Sequence, residues 1–377
     1  YPPLTTKIED LQDVDAIYVS HIHPDHYDER FFNFKKEIPI IILDEGPNFL
    51  KRKLLSKGYS NLIEIKNGET KKFKEFEFTI YKPFASHIYE ESFIGNLIDS
   101  AIVFKNDGYT AINFNDNTPT LKSCEVLKKK FEHIDLAMLN YNAAGPYPSC
   151  FDNLNSDQKK EEHEKILKRN FDHLIDIIKI LKPKSVLPFA GSYILGGKNV
   201  EKNDYLGTTT WDVCAEYLKN KQSISKIICM LENQMYDFKY KNLLSEYVKI
   251  DTNHMKKYLE TIKSEKYDYE NDKKIDHNKL LNDLDLAKKN LVSRIKKFNV
   301  KIKSNVFLNI NNKDYKVLEG TDAERIIKCE MDTRLLRRIL DRKSHWNNAE
   351  IGCHITFNRS PNEMEPDVHK ALCFLHL

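Results

Sequence analysis

The sequence predicts a layered α/β protein followed by a small α+β domain. Two observations lead to this fold class. Over the first two thirds of the 377 residues, short apolar runs alternate with segments of helical periodicity. At residues 263–277, the stretch "KSEKYDYENDKKIDH" is charged and nearly without aliphatic side chains, which predicts a solvated linker. We therefore expect one domain at residues 1–262 and a second at residues 278–377.

Nine apolar runs in the first domain have the length and composition of β-strands. They are residues 15–20, 39–43, 62–66, 73–81, 100–104, 110–114, 135–139, 185–188 and 226–231. The clearest helix follows the candidate N-cap Ser156, because seven apolar side chains from Ile166 to Leu181 fall on one helical stripe. Pro183 is expected to end this helix.

The second domain begins with a predicted helix from Leu280 to Phe298. Apolar residues then alternate from Val306 to Ile310 ahead of the turn "NNKD", and "YKVLE" predicts the second strand of a hairpin. The stretches "RIIKC" and "EIGCHITF" predict further strands, with the amphipathic helix "TRLLRRIL" between them. This mixture of elements is typical of an α+β domain.

Composition argues against several classes of protein. The 59 basic and 56 acidic residues give a net charge of only +3 and are interleaved, so nucleic acid is not the expected partner. No window approaches 18 apolar residues, so we expect no membrane partner. The seven cysteines are odd in number and form no C-x-x-C pair, which favours free thiols in a reducing cytoplasm over a disulfide framework.

The densest chemical motif is "HIHPDH", directly after an apolar run. His21 and His23 are two positions apart, so on extended backbone their side chains leave the same side. Pro24 then forces a turn that brings Asp25 and His26 to the same volume. Imidazoles and a carboxylate that converge from one loop are typical ligands of zinc or iron. The less favoured interpretation is a surface loop that is rich in histidine by chance.

One loop cannot complete a coordination sphere, so further ligands must come from elsewhere. His87 in "FASHIYEE" follows the predicted strand that ends at Tyr81, and Asp116 in "NFNDNT" follows another predicted strand. Taken alone, each has an ordinary interpretation, as a solvated loop histidine and as a turn aspartate. Combined with the HIHPDH motif, both are predicted metal ligands.

The spacing from "DAIYVSHIHPDH" through "FASHIYEE" to "NFNDNT" resembles the metallo-β-lactamase superfamily. The resemblance implies that the first domain is catalytic, with a four-layer αβ/βα sandwich and one or two metal ions in a cleft at the strand ends. It also implies a division of the ligands: His21, His23 and His87 for the first metal, Asp25 and His26 for the second, and Asp116 as the bridge. Asp25 and Asp116 are the predicted catalytic residues. The fold usually has about two strands before the metal loop, so we expect such strands ahead of Tyr1.

One position departs from the superfamily pattern. Members usually supply a last histidine after a later strand, but the corresponding segment "SVLPFAGSY" has Phe189, Ala190 and Gly191 there. The second metal therefore lacks an ordinary ligand. This departure argues against a standard dizinc hydrolase and leaves coordination positions open.

Further stretches resemble the catalytic region of the CMP-N-acetylneuraminate hydroxylase family and its bacterial nucleotide-sugar hydroxylase relatives. They are "DSAIVFKNDGYTAINFNDNTP", "AMLNYNAAGPYP", "LPFAG" and "HWNNAEIGCHITFNRSPN". The resemblance implies an iron-dependent monooxygenase that uses dioxygen and receives electrons through a Rieske iron–sulfur domain. The chain has no C-x-H pair for a Rieske centre, and Cys373 with His376 is a lone C-x-x-H. We therefore expect an external electron donor or a Rieske domain outside this sequence.

The residues expected to contact a small polar substrate lie in two loops that follow strands. The stretches "NYNAAGPYPS" and "AGSYILGGKN" offer amides, hydroxyls and glycine backbone, although a Gly/Pro turn and a flexible loop are the alternative interpretations. The predicted substrate-binding residues are Asn140, Asn142, Tyr147, Ser192 and Tyr193.

These observations support three hypotheses of function. The leading one is metal-dependent oxygenation, with iron favoured, of a polar metabolite such as a nucleotide-activated sugar. The second is zinc-dependent hydrolysis of a phosphodiester, lactone or amide, in which Asp25 accepts a proton. The third is a scaffold that uses the cleft only for binding, which the nearly complete ligand set disfavours.

Overall fold

The computed structural model describes residue 3 and residues 5–29, 32–46, 48–84 and 99–377. Its contacts divide the chain into two compact units, each built from several segments. The first unit comprises Tyr1–Asn142, Lys168–Ser192 and Thr209–Ile250, and the second comprises Ala143–Leu167, Tyr193–Thr208 and Asp251–Leu377. The predicted domain boundary at residues 263–277 stays a prediction. In the structure these residues belong to the second unit, where Tyr269 is buried.

A small parallel sheet opens the first unit. Its strands are β1 (Ile17–Tyr18), β2 (Ile40–Asp44) and β3 (Leu62–Lys66), in that spatial order. The central strand β2 starts with three isoleucines and a leucine, all buried, as expected of a parallel strand that is covered on both faces. Helix α1 (Phe49–Ser56) covers one face through Leu50 and Leu54, which pack in one cluster with isoleucines of β2.

A larger mixed sheet forms the rest of the first unit, with the spatial order β10-β9-β8-β7-β6-β5-β4. Its strands are β4 (Thr70–Phe73), β5 (Phe76–Tyr81), β6 (Ala101–Asn106), β7 (Tyr109–Asn113), β8 (Leu136–Asn140), β9 (Ser185–Phe189) and β10 (Lys226–Ile227). A two-stranded ribbon follows, β11 (Tyr236–Asp237) and β12 (Asn242–Leu243). Strands β7 to β10 run parallel, whereas β6 is antiparallel to β7. The beginning of β6 therefore lies at the same sheet edge as the ends of β7, β8 and β9.

The next helices are α2 (Leu121–Lys130), α3 (Ser156–Leu181) and α4 (Trp211–Lys221). The predicted N-cap of α3, Ser156, is wrong by one residue. Asn155 is the cap, because its side chain accepts from the Gln158 N–H at 2.9 Å while the Gln158 side chain accepts from the Asn155 N–H at 2.9 Å.

The two sheets of the first unit face each other. The buried cluster between them comprises Ile41, Leu43 and Ile65 of the small sheet and Ile80 and Ile102 of the large sheet. On the other face of the large sheet, Val103 and Ile112 are also buried, and α4 packs on β9 and β10. The order helix, sheet, sheet, helix confirms the predicted αβ/βα sandwich.

Three of the predicted strands differ clearly from the structure. Residues 73–81, predicted as one strand, form the hairpin β4–β5, because the backbone turns at Lys74 with a φ of +54°. The prediction was wrong because apolar residues occur on both sides of this turn. The strands predicted at residues 15–20 and 226–231 are shorter, since β1 covers only Ile17–Tyr18 and β10 ends at Ile227.

The second unit contains a four-stranded sheet with the order β14-β13-β15-β16. The strands are β13 (Asn305–Ile310), β14 (Lys313–Leu318), β15 (Ile326–Glu330) and β16 (Thr356–Ser360). The helices are α5 (Thr252–Ile262), α6 (His277–Lys297), α7 (Thr333–Leu340), α8 (Trp346–Ile351) and α9 (Pro366–Leu372). Part of "EIGCHITF", predicted as a strand, is the end of α8, but the α+β character is as predicted. No helix in the described ranges combines the length and apolar character that crossing a bilayer requires.

Candidate metal centre

The loop after β1 folds back on itself at the HIHPDH motif. The backbone N–H groups of His26 and Tyr27 both donate to the His23 carbonyl oxygen, at 2.9 and 2.7 Å. This turn contains Pro24, as the sequence predicts, and it brings the rings of His21 and His26 to a centroid distance of 4.1 Å. Histidines that are five positions apart in the chain are therefore in contact.

The Nε2 atom of His21 is the centre of a first ligand group, which also contains His23, Asp99 and Asp116. It lies 2.9 Å from His23 Nδ1 and 3.1 Å from Asp99 Oδ1, while Asp116 Oδ2 lies at 3.9 Å. All four ligand atoms lie within 4.8 Å of one another. Two ligand atoms that bind one ion at about 2.0–2.2 Å are themselves roughly 3–4 Å apart. The first ligand group therefore has the spacing of a metal site.

A second ligand group consists of Asp25, His26 and Asp116. His26 Nε2 lies 3.2 Å from Asp116 Oδ2 and 3.6 Å from Asp25 Oδ2. The Asp25 side chain is 73% exposed, against 27% for Asp116, so this group is more open to solvent than the first. Asp116 belongs to both groups, which is the position required of a carboxylate that bridges two ions.

Burial decides the protonation of the imidazoles in the first ligand group. Desolvation, reinforced by the neighbouring imidazoles, holds the pKa of His21 well below its ordinary value. Desolvation also lowers the pKa of His23, although Asp25 and Asp116 act in the opposite direction. His21 and His23 are therefore neutral near pH 7, with a lone pair for a metal ion. His26, in the second ligand group, differs from them. Burial acts to lower its pKa as well, but the hydrogen bond and charge of Asp116, with other carboxylates, outweigh burial and raise this pKa.

Ser20 orients two of these imidazoles. Its Oγ lies 3.0 Å from His21 Nδ1 and 2.9 Å from His26 Nδ1. When both Nδ1 atoms carry the proton, each donates to the hydroxyl oxygen, which has two lone pairs. Both Nε2 atoms are then left as ligands. The hydroxyl of Ser20 thus favours the tautomer that both ligand groups need.

A Ser20→Ala variant is expected to bind metal about 10–100-fold more weakly, because two Nδ1–H groups lose their acceptor and the rings lose their fixed orientation. Competition with a chromophoric chelator measures the affinity. The matched control is Ser56→Ala, which removes an exposed hydroxyl that donates to the Lys53 carbonyl oxygen. Equal metal affinities of the two variants would contradict the role assigned to Ser20.

The turn after β7 holds Asp116 at the sheet edge. The side chain of Asn115 donates to the Ser100 carbonyl oxygen at 3.0 Å, and that of Asn117 accepts from a backbone N–H shortly after β5 at 2.9 Å. Both asparagines are buried, at 6% and 0% exposure, so they anchor the turn from within. Asn140 Nδ2 donates to Asp116 Oδ1 at 3.3 Å. The other carboxylate oxygen, Oδ2, is the one that faces His21 and His26.

Asp99 is a candidate ligand that sequence reasoning missed. It precedes β6, whose beginning lies beside the end of β7 because the two strands are antiparallel. Its φ of +54° is uncommon for a residue other than glycine. The adjacent Ser100 hydroxyl donates to the Ser20 carbonyl oxygen at 2.8 Å, which ties this segment to the metal loop. A signal was present in "DSAIVFK", where an aspartate precedes a strand whose hairpin partner runs into the Asp116 turn.

Of the predicted ligands, the structure brings together His21, His23, Asp25, His26 and Asp116. The sixth, His87, lies outside the described residues. That these side chains bind metal stays a prediction, and the donor atoms are arranged as that prediction requires.

The segment after β9 reaches the same edge of the large sheet without a side-chain ligand. Phe189 of β9 pairs in register with Asn140 of β8, whose amide contacts Asp116. Gly191 follows with a φ of +91°, and a Cβ there would lie 3.0 Å from Asn142 Cβ. A side chain at residue 191 would therefore need left-handed backbone and a small displacement of Asn142, which is a physical reason for the glycine at this position of "SVLPFAGSY".

A Gly191→Ala variant is expected to lower the free energy of unfolding by about 1–3 kcal/mol, because alanine must adopt left-handed backbone and displace Asn142. Urea denaturation measures this change. Gly46→Ala is the matched control, since its φ is not in the left-handed region and a Cβ there meets no atom within 4 Å. If both variants are equally stable, the loop after β9 accommodates a side chain and the explanation fails.

The predicted substrate-binding residues belong to both units. In the first unit, Asn140 contacts the shared aspartate, and Ser192 lines an apolar cavity of about 660 Å³ on the large sheet. The Asn142 amide is used within the fold, because its Nδ2 donates to two backbone carbonyl oxygens at 3.0 and 2.9 Å. Tyr147 and Tyr193 lie in the second unit. Contact of these residues with a substrate stays a prediction.

Comparison with sequences finds partial relatives, and no family model matches the chain. A protein of Mycolicibacterium smegmatis, named as a candidate Rieske 2Fe-2S iron–sulfur protein, is 31% identical over 148 residues, which are 38% of this chain and 27% of that protein. Two Mycobacterium tuberculosis proteins with the same kind of name are 29% identical over 148 residues. The chain thus spans about a quarter, 27%, of the length of the curated relatives it matches.

Comparison with solved structures finds similarity to parts of several proteins. CmlA, a diiron β-hydroxylase from Streptomyces venezuelae, is 12% identical with a TM-score of 0.40, over 58% of this chain and 44% of that one. A candidate metal-dependent hydrolase from Veillonella parvula is 15% identical with a TM-score of 0.39, over 59% and 77%. The metallo-β-lactamase-fold protein YhfI from Bacillus subtilis is 13% identical with a TM-score of 0.36, over 60% and 77%.

Proposed function

We propose that this chain is the catalytic part of an iron-dependent oxygenase that hydroxylates a polar metabolite, with nucleotide-activated sugars as the substrate class. The observation that carries the proposal is the donor set. Two ligand groups share Asp116, and within the described residues they combine imidazoles with carboxylates and contain no thiolate. Imidazole and carboxylate ligands with open coordination positions are typical of non-haem iron oxygenases.

The residues of the centre fit two ions that share one carboxylate. The proposed ligands are His21, His23, His87 and Asp99 for the first ion, Asp25 and His26 for the second, and Asp116 for both. Bound iron would supply the binding and reduction of dioxygen. The exposure of the second ligand group leaves room for a small molecule to approach it.

The protein's own contribution is orientation and proton transfer. Ser20 holds His21 and His26 in the ligand tautomer, and Asn140 holds one oxygen of Asp116. Asp25 is the exposed carboxylate of the second ligand group, so while it is not bound to the ion it is placed to accept a proton and pass it to solvent.

An oxygenase needs electrons from a second redox centre. The partial match to mycobacterial proteins named as candidate Rieske iron–sulfur proteins supports a Rieske centre as the proposed donor. The chain has no C-x-H pair, so the ligands of such a centre are proposed to come from another domain or protein.

Hydrolysis of a phosphodiester, lactone or amide is the second candidate function. The specific observation in its favour is the exposed carboxylate of Asp25 within the second ligand group. A carboxylate in this position can act as the general base toward an attacking water, and zinc would bind to the same ligands.

Metal analysis of protein purified without oxygen separates the two candidates. One or two irons per chain, with oxygen consumption after addition of a reductant and nucleotide-activated sugars, would support the oxygenase. Zinc alone, together with turnover of a chromogenic phosphodiester, would overturn it. Protein reconstituted with zinc is the matched control for oxygen consumption, because zinc has no redox chemistry.

A further inference from the structure

The second unit contains a buried arginine without a carboxylate partner. Arg359 on β16 is only 6% exposed, and among the described residues no carboxylate lies within 4.0 Å of its guanidinium. Four other arginines of this unit have a carboxylate at 2.5–2.7 Å: Arg325, Arg334, Arg337 and Arg338. An arginine is rarely buried unless it is paired, because the isolated charge loses its hydration.

The guanidinium of Arg359 has neutral neighbours. Its Cζ lies 4.6 Å from the ring centroid of Tyr147 and 4.5 Å from that of Phe151. Its Nε donates to Asn362 Oδ1 at 2.8 Å, and its Nη1 contacts the Met364 sulfur at 3.9 Å. The two ring faces stabilise the cation, but they do not neutralise it.

The acidic residue whose charge acts on Arg359 is already engaged. This residue is Glu162, whose carboxylate lies 2.9 Å from Lys165 Nζ and accepts from the Tyr147 hydroxyl at 2.9 Å. Glu162 shares Lys165 with Glu161, whose carboxylate lies 2.8 Å from the same Nζ, and it does not reach within 4.0 Å of the guanidinium. The N–H donors of Arg359 therefore remain available to a ligand.

We propose that Arg359 anchors an oxyanion-binding site for the carboxylate or phosphate group of a small ligand. The planar guanidinium presents paired N–H donors that match two oxygens of such a group. The Met364 side chain, which contacts the guanidinium, can be displaced by a ligand, because it is 61% exposed and a thioether is only a weak acceptor. The exposed Asn362 amide, which donates to the Tyr147 hydroxyl at 3.3 Å, is a second donor at the mouth of the site.

This oxyanion site goes beyond the proposed oxygenase function and is independent of it. All of its residues belong to the second unit, and none of them belongs to the two ligand groups. It gives a role to two sequence features that the metal centre does not use. One is Tyr147, which was predicted to contact a substrate. The other is the stretch "FNRSPN", which contains Arg359 and Asn362.

Thermal unfolding of the full chain with inorganic phosphate, with acetate, and with chloride at equal ionic strength tests the proposal. Phosphate or acetate should raise the melting temperature by several degrees above chloride, and whichever anion does so identifies the ligand group. The half-saturating concentration should increase at least tenfold in Arg359→Lys, because lysine cannot form the bidentate pair. Arg338→Lys, which keeps its pairing with Asp272, is the matched control and should respond like the unmodified protein.

A second variant keeps the test decisive if Arg359→Lys does not fold. Met364→Glu changes an exposed residue and places a carboxylate beside the guanidinium, where it should compete with the added anion and weaken its binding at least tenfold. No stabilisation of the unmodified protein beyond that of chloride would overturn the proposal. Equal stabilisation of the unmodified protein and of either Arg359→Lys or Met364→Glu would also overturn it.

Discussion

Replacing His23 with alanine is expected to empty the first ligand group of metal and to abolish turnover. His23 Nδ1 lies 2.9 Å from His21 Nε2, so the two imidazoles aim at one volume and a bound ion would lose a direct ligand. Loss of a residue that only orients a ligand weakens metal binding about 10–100-fold, so loss of a direct ligand should weaken it by more than about 100-fold. Metal content after dialysis, measured on protein purified without oxygen, checks this result.

The difference in burial makes His23 the better residue for this test than His21. His21 is fully buried, so its removal would leave a cavity, whereas His23 is only partly buried. His133→Ala is the matched control, because His133 is an exposed histidine of the same unit and is not in either ligand group. If His23→Ala keeps the metal content of the control while its circular dichroism shows a folded protein, the site assignment is wrong. This result is expected for both iron and zinc, so it tests the centre and not the reaction.

The sequence predicted the convergence of the motif ligands because it depends on local geometry. Pro24 and the two-residue spacing of His21 and His23 act within one loop, and Asp116 follows a strand whose parallel neighbours end at the same edge. Asp99 was missed because its place depends on the direction of β6. A strand that runs antiparallel brings its beginning, not its end, to that edge. Strand direction is a property of the whole sheet and is not visible in one apolar run.

Other features could not be predicted because they depend on contacts between distant segments. The close contact that a side chain at residue 191 would make is with Asn142. This residue lies 49 positions earlier in the chain, and its amide donates to the Gly191 carbonyl oxygen. Arg359 in "FNRSPN" shows no sign in the sequence of being buried without a carboxylate. Whether an arginine is paired is decided by where every acidic side chain lies, and that information belongs to the fold.

An Asp116→Asn variant is expected to bind one metal ion fewer per chain than the unmodified protein. Asp116 Oδ2 lies 3.2 Å from His26 Nε2 and 3.9 Å from His21 Nε2, so a single carboxylate serves both ligand groups. Asparagine keeps the shape and can keep the contact with Asn140, but it has no charge and only one oxygen. The second group then retains only Asp25 and His26, too few to hold an ion. Titration with ferrous ion under anaerobic conditions measures the stoichiometry.

The shared position of Asp116 distinguishes its loss from the loss of either neighbouring aspartate. Asp99→Asn should weaken only the first ligand group and Asp25→Asn only the second, whereas Asp116→Asn should weaken both. Asp107→Asn is the matched control, since Asp107 lies exposed in the turn between β6 and β7, at the opposite edge of the sheet. Two ions bound by Asp116→Asn with the affinity of this control would exclude a bridging role. The centre would then have to be described as two separate sites, and the proposed assignment of Asp116 to both ions would fail.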